Sequence, residues 1–186
     1  MIEAFSGIAE AIGLSTSAGL NAYLPMLVVA LAARYTNLIQ LNEPWNVLTS
    51  GWVIGVLAVL LLIEMTVDKI PAVDTLNDGI QTIGRPLAGA VLFAAGSGVA
   101  GELHPVLAFI AGLLIAGGVH TAKTVARPAV TAATGGMGNW LVSLVEDAVS
   151  LITAVLAILV PLLVLLLIAV CLVVFAGSRS FHSQET

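Results

Sequence analysis

Three residues able to carry positive charge stand close together in an apolar neighbourhood: His120, Lys123 and Arg127, within His120-Thr121-Ala122-Lys123-Thr124-Val125-Ala126-Arg127-Pro128. At helical spacing they fall at i, i+3 and i+7 and so share one face. Charges away from water are costly, so such a stripe demands an anion. The complement is a carboxylate of the protein, a lipid phosphate, or an anionic substrate that is carried or chemically handled. The bland alternative is that the long stems of Lys123 and Arg127 carry their charges out to headgroups. His120 adds proton chemistry, because an imidazole can exchange a proton with Glu146 or Asp147.

The carboxylates available to answer these cations are Glu64, Asp68, Asp74, Asp78, Glu146 and Asp147. Each has two readings: a structural ion pair with Lys69, Arg85, Lys123 or Arg127, or a proton-coupling group. Uncharged polar groups extend the set. Ser17 and Asn21 lie in Ser15-Thr16-Ser17-Ala18-Gly19-Leu20-Asn21, where hydroxyls and Gly weaken a helix and can satisfy freed backbone groups. Asn139, Ser143, Glu146 and Ser150 form one stripe, with Asp147 beside it. The candidate substrate-binding residues are therefore Ser17, Asn21, Arg85, His120, Lys123, Arg127, Asn139 and Ser143.

Other chemistries lack their residues. Glu102, His104 and His120 are not at metal-ligand spacing, and there is no His-x-x-x-His pair or Cys cluster, so no metal or other cofactor is expected. Neither a Gly-x-Ser-x-Gly elbow nor a phosphate loop occurs, and nothing in the spacing of Ser15 or Ser17 to His120 demands a hydrolase. The chain does not read as an enzyme.

The elements that must position these groups follow from composition. Of 186 residues, 59% are hydrophobic and 9% charged, and the mean hydropathy is +1.09. That is too little charge to cover a water-soluble surface, which predicts an all-α integral membrane protein whose first partner is the lipid bilayer. The net charge of −5 argues against nucleic acid as a partner. Cys171, the one cysteine, permits no intramolecular disulfide and sits where packing is expected. Met1-Ile2-Glu3-Ala4-Phe5 carries an acid where a signal peptide carries Lys or Arg, so the first segment is expected to stay in the mature protein.

A spanning helix needs about 20 mostly apolar residues. The reading is a single transmembrane domain over 1–177 with membrane regions 4–35 (broken at Ser15 to Asn21), 52–68, 86–98, 105–134 (broken after Gly117-Gly118) and 141–176, then a polar tail over 178–186. Between the second and third regions, 73–85 reads as an amphipathic piece with Asp74, Asp78, Gln81 and Arg85 on one face. The last region is too long for one perpendicular span, and Pro161 is placed to kink it. Thr82-x-x-Arg85-Pro86 echoes Thr124-x-x-Arg127-Pro128, which admits an inverted repeat. Lys69, Arg85, Lys123 and Arg127 thread to one side, which the positive-inside rule makes cytoplasmic.

Several of these stretches together resemble the bacterial membrane family catalogued as domain of unknown function 4126. The resemblance rests on Ala18-Gly19-Leu20-Asn21-Ala22-Tyr23-Leu24-Pro25, Asp68-Lys69-Ile70-Pro71 with Asp74, and Arg85-Pro86-Leu87-Ala88-Gly89-Ala90. It continues through His120-Thr121 to Arg127-Pro128-Ala129-Val130, Thr134-Gly135-Gly136, Gly138-Asn139, and Ser143 with Glu146-Asp147. Trp140 departs from a Gly-Asn-Pro pattern common there. The resemblance implies a multi-pass protein of the bacterial inner membrane and brings no activity with it.

The residues themselves point to a polytopic helical bundle with broken or re-entrant helices around a polar cavity. The expected function is a small secondary transporter or channel-like carrier for a small or lipid-linked anion, coupled to protons. The competing expectation is a non-catalytic membrane scaffold, with internal ion pairs and a small-residue face over 87–98 that takes partner helices, a second copy included.

Overall fold

The computed structural model describes residues 2–41, 43–67, 71–96, 103–135, 138–164, 166–168 and 170–172, with side chains for all of these except 2–4 and 71–78. Every regular element among them is helical. α1 (Ile2–Leu20) and α2 (Tyr23–Tyr35) are followed by a 3₁₀ turn (Trp45–Thr49), α3 (Gly51–Val67), α4 (Pro71–Ala95), α5 (Pro105–Thr134) and α6 (Asn139–Leu159). A further helical stretch, α7 (Pro161–Leu172), follows.

α1 is the hub, packed against α4, α5 and α6. It runs antiparallel to α4, where the Ser15 hydroxyl donates to the Gly89 carbonyl at 2.8 Å and Ala11 lies beside Gly96. It is also antiparallel to α6. There the Ser17 hydroxyl donates to the Ser150 carbonyl at 2.7 Å, the Ser150 hydroxyl donates back to the Ser17 carbonyl at 3.1 Å, and Gly13 meets Ala157. α4 and α5 form the most extensive pair, held close by small residues: Gly112 of α5 sits directly on the backbone of Gly89 and Ala90 in α4. α2, α3 and the 3₁₀ turn make a flanking layer through Ala30, Leu48 and Leu57.

The expected break in 4–35 is confined to two residues, Asn21 and Ala22. Ser15 and Ser17 stay inside α1 because their hydroxyls bond to neighbouring helices rather than opening their own. The Asn21 side-chain oxygen accepts from the Tyr23 and Leu24 amides at 3.1 and 2.9 Å, which caps α2. Pro25 follows in the first turn, where its missing N–H has no helical partner to lose.

Three other expectations are corrected. The amphipathic piece 73–85 and the apolar region 86–98 are one element, since α4 runs through Pro86. A proline inside a helix costs about 3 kcal/mol, and burial of α4 between α1 and α5 outweighs it. The break expected after Gly117-Gly118 is absent: α5 is continuous for 30 residues, including Pro128. Glycine inside a helix costs only about 1 kcal/mol, and the face carrying Gly117 packs against the Pro86 ring. The region 141–176 is not one kinked rod. α6 ends at Leu159, and α7 doubles back, so that Val149 and Leu156 of α6 share one cavity with Val164 and Leu172 of α7.

The small-residue face of α4 is covered by its own chain, because Ala88, Gly89 and Ala90 are buried against α1 and α5. Residues 97 and 98 lie outside the described residues. The polarity of the whole is inverted relative to a water-soluble bundle. Arg85, Gln81, Glu64, Asn21, Ser15, Ser17 and Ser150 are among the largest fully buried side chains, while Trp52, Leu62, Leu114, Leu159 and Leu166 are exposed. Among the described residues α5 and α6 are long and apolar enough to cross a membrane.

Candidate functional site

The buried polar groups meet along one face of α5. His120, Lys123 and Arg127 are 3%, 7% and 8% exposed, so the stripe faces inward and its two long side chains do not reach outward to headgroups. Two groups of partners answer it.

The first lies where α3, α4 and α5 converge. Arg85, on α4, is fully buried and donates to Glu64 of α3 at 3.1 Å; Glu64 is 1% exposed. The same guanidinium donates from Nη1 to the Nδ1 of His120 at 3.1 Å. Arginine has no acceptor, so Nδ1 must accept. In the neutral ring Nε2 then carries the hydrogen, which points to the Thr82 hydroxyl at 3.3 Å. Thr82 and Arg85 are three residues apart on α4 and both face His120.

The second lies where α5, α6 and the α1–α2 break converge. One oxygen of Glu146, Oε2, accepts from Lys123 Nζ at 2.8 Å and from Arg127 Nη2 at 3.1 Å. Lys123 also donates to the Leu20 carbonyl at 3.2 Å, the last residue of α1, where a helix leaves carbonyls unsatisfied. Asn21 donates from its amide nitrogen to Asp147 at 2.9 Å while its oxygen caps α2. Ser143 is buried on α6 one turn before Glu146 and Asp147. Arg85 and Arg127 therefore occupy different surroundings despite their shared motif, the first with Glu64 and His120, the second with Glu146.

Of the candidate residues, Asn21, Lys123, Arg127, Ser143, Glu146 and Asp147 are gathered around the second convergence, and Glu64, Arg85 and His120 form the first. Ser17 is spent on the α1–α6 contact with Ser150. Asn139 stands apart near the α5–α6 turn, where it accepts from Thr131 at 3.1 Å. Asp68 and the side chains of Asp74 and Asp78 lie outside the described residues. His120 reaches Arg85 and Thr82 on the α4 side.

Thr82 and Gln81, which the sequence places in a repeated motif and on a polar face, were not among the candidate site residues, and Glu10 was missed. Gln81 is buried, with Oε1 lacking a hydrogen-bond partner among the described residues, and the same holds for Oε1 of Glu10 on α1. An acid inside an apolar run was the available signal for Glu10. No group of three or more His, Cys, Asp or Glu among the described residues is placed to hold a metal ion.

Asn21 offers a direct check of this geometry. Asn21→Ala should cost about 0.5–2 kcal/mol from the lost cap alone, with a further loss from Asp147. Asn21→Asp keeps a capping oxygen yet sets a like charge against Asp147, so it should also destabilise. Thermal unfolding of both purified variants reads this, and a neutral Asn21→Asp would mean that Asp147 is not held there.

No curated protein and no solved structure matches the chain. A family does match, over residues 8–180, nearly the whole length, and it takes in both convergences. The chain belongs to the family described as a domain of unknown function, DUF4126.

Proposed function

We propose that the chain is a multi-pass protein of the bacterial inner membrane, and that the Lys123–Arg127–Glu146 cluster is the anion-binding centre of a small secondary carrier. Support for the membrane comes from the inverted polarity, with Arg85 and Glu64 inside and Trp52 86% exposed. An exposed apolar surface of this extent suits lipid far better than water. The positive-inside rule puts the half that holds Arg85, Lys123 and Arg127 on the cytoplasmic side.

The single observation that carries the carrier reading is that two buried cations converge on one carboxylate oxygen, Oε2 of Glu146. Such a pair is a ready anion receptor, and Glu146 occupies it as an internal ligand. When Glu146 takes a proton and releases the cations, an external anion takes its place, which couples anion binding to a proton. The end of α1 and the capped start of α2 meet beside this centre, as broken helices do around the substrate sites of transporters.

The second reading is a non-catalytic scaffold. It is favoured by the fact that Arg85, Lys123 and Arg127 each already have a carboxylate partner. Glu146→Gln separates the two. The variant leaves Lys123 and Arg127 without their shared anion and should lower thermal stability sharply. In a carrier, added phosphate or small carboxylates should restore it, since a ligand at 100 times its Kd stabilises by about 2.7 kcal/mol. Should no anion raise the melting temperature of Glu146→Gln more than that of the parent, the scaffold reading stands.

A further inference from the structure

Beside the charged centre lies a cavity of about 490 Å³ between α1, α5, α6 and α7. Volumes of this order hold small organic ligands. Its wall is aliphatic apart from Thr16, Thr153 and Cys171. It follows α6 from Val149 to Leu156, a rise of about 10 Å. A compact inorganic anion has no use for such a wall.

The cavity is tied to the charges at one end. Leu20 lines it, and the carbonyl of Leu20 accepts from Lys123. Val119 lines it one turn before Lys123 on α5, and Val149 lines it one turn after Glu146 on α6. An apolar slot thus ends at Leu20, whose carbonyl Lys123 holds, and the complement of that arrangement is a molecule with an aliphatic tail and an anionic head. We infer that the substrate class is a single-chain anionic amphiphile, such as a fatty acid or an alkyl phosphate, with its tail in the cavity and its head at Lys123 and Arg127 in the place of Glu146. This inference rests on the carrier reading and names its substrate.

The discrimination follows from physical chemistry. Each buried methylene adds to the affinity of the tail, and each charge-assisted hydrogen bond adds to that of the head. Tail and head should both be needed.

The test is thermal unfolding of the full chain in a neutral detergent, titrated with hexadecyl phosphate, hexadecanol and inorganic phosphate. The same titrations are made on two cavity-filling variants, Thr153→Trp and Val149→Trp, so that one poorly folded variant does not decide the matter. Hexadecyl phosphate should raise the melting temperature of the parent at concentrations roughly tenfold or more below those needed for hexadecanol, given the head-group hydrogen bonds. Both fillings should weaken hexadecyl phosphate and leave inorganic phosphate unaffected. Equal shifts from hexadecanol and hexadecyl phosphate would overturn the inference, since only the tail would then be recognised. So would unchanged binding in a folded filling variant, which would seat the tail elsewhere, on another copy or in the detergent belt. If inorganic phosphate rescues Glu146→Gln while hexadecyl phosphate does no better, the inference fails and the carrier reading survives. If neither rescues it, both fail.

Discussion

Glu64→Gln should be among the most destabilising single substitutions in this chain, at about 3–5 kcal/mol, because it takes a charged partner away from a fully buried guanidinium. Arg85 is fully buried and Glu64 nearly so, with their polar atoms 3.1 Å apart. The penalty does not measure what the pair contributes. Two buried charges together come close to offsetting their own desolvation, whereas one alone cannot. The double variant Glu64→Leu with Arg85→Met should therefore cost less than the two single changes added together. It should not be neutral, because His120 loses the donor at its Nδ1. Unfolding of the four proteins gives a coupling energy. That energy should persist at high salt, since a pair shielded from solvent is screened little. If both single variants lose less than about 1 kcal/mol, as exposed pairs do, Glu64 and Arg85 are not buried together in the folded protein.

That pair illustrates what the sequence discloses and what it withholds. Charges inside apolar segments are rare enough that each one needs a partner, so the short roster of Glu64, Arg85, Lys123, Arg127, Glu146 and Asp147 could be drawn up without coordinates. The helical spacing of His120, Lys123 and Arg127 placed them on one face correctly. Their partners were beyond reach, because pairing depends on how far helices slide along one another. The offset of α4 against α5 places His120 opposite Arg85, and the offset of α6 against α5 places Glu146 between Lys123 and Arg127. The echoed Thr-x-x-Arg-Pro admits an inverted repeat, yet surroundings rather than local sequence decide what each arginine meets.

The errors in the helix boundaries share one cause. Taken locally, proline and glycine are breakers at Pro86 and at Gly117-Gly118, yet both stretches are helical throughout. Local costs of about 1–3 kcal/mol are small beside the packing of a helix that is covered on two sides. The breaker signal succeeded at Asn21, where an alternative hydrogen-bonding scheme, the side-chain cap, was available to stabilise the interruption. At Pro161 the disruption was anticipated but not its extent. A reversal requires a surface to receive the returning segment, and Gly13 of α1, lying against Val164, supplies part of it.

The registers that assemble the site depend on glycine at the α4–α5 contact, and this gives two substitutions of opposite sign in one helix. A Cβ at Gly112 would collide with the Gly89 carbonyl oxygen and stand 2.6 Å from the Phe93 Cβ and 2.8 Å from the Ala90 Cα. Most of that obstruction is backbone, which cannot rotate aside. Gly118, six residues later on α5, is exposed and has nothing within 4 Å of the added carbon. Alanine favours a helix over glycine by about 1 kcal/mol, so Gly118→Ala should stabilise the protein by up to that amount. Gly112→Ala carries the same propensity gain and should still destabilise it, because overpacking costs about 1–3 kcal/mol or more. The loss should extend to the site. His120 lies two turns from Gly112 on the same helix, so forcing α4 and α5 apart at Gly112 should weaken the Arg85–His120 contact and lower the coupling energy measured between Glu64 and Arg85. Thermal unfolding of Gly112→Ala and Gly118→Ala, with the Glu64–Arg85 cycle repeated in the Gly112→Ala background, reads both effects. Equal shifts from the two glycines would mean that α4 and α5 do not touch at Gly112, and the register that brings His120 to Arg85 would then lose its physical basis.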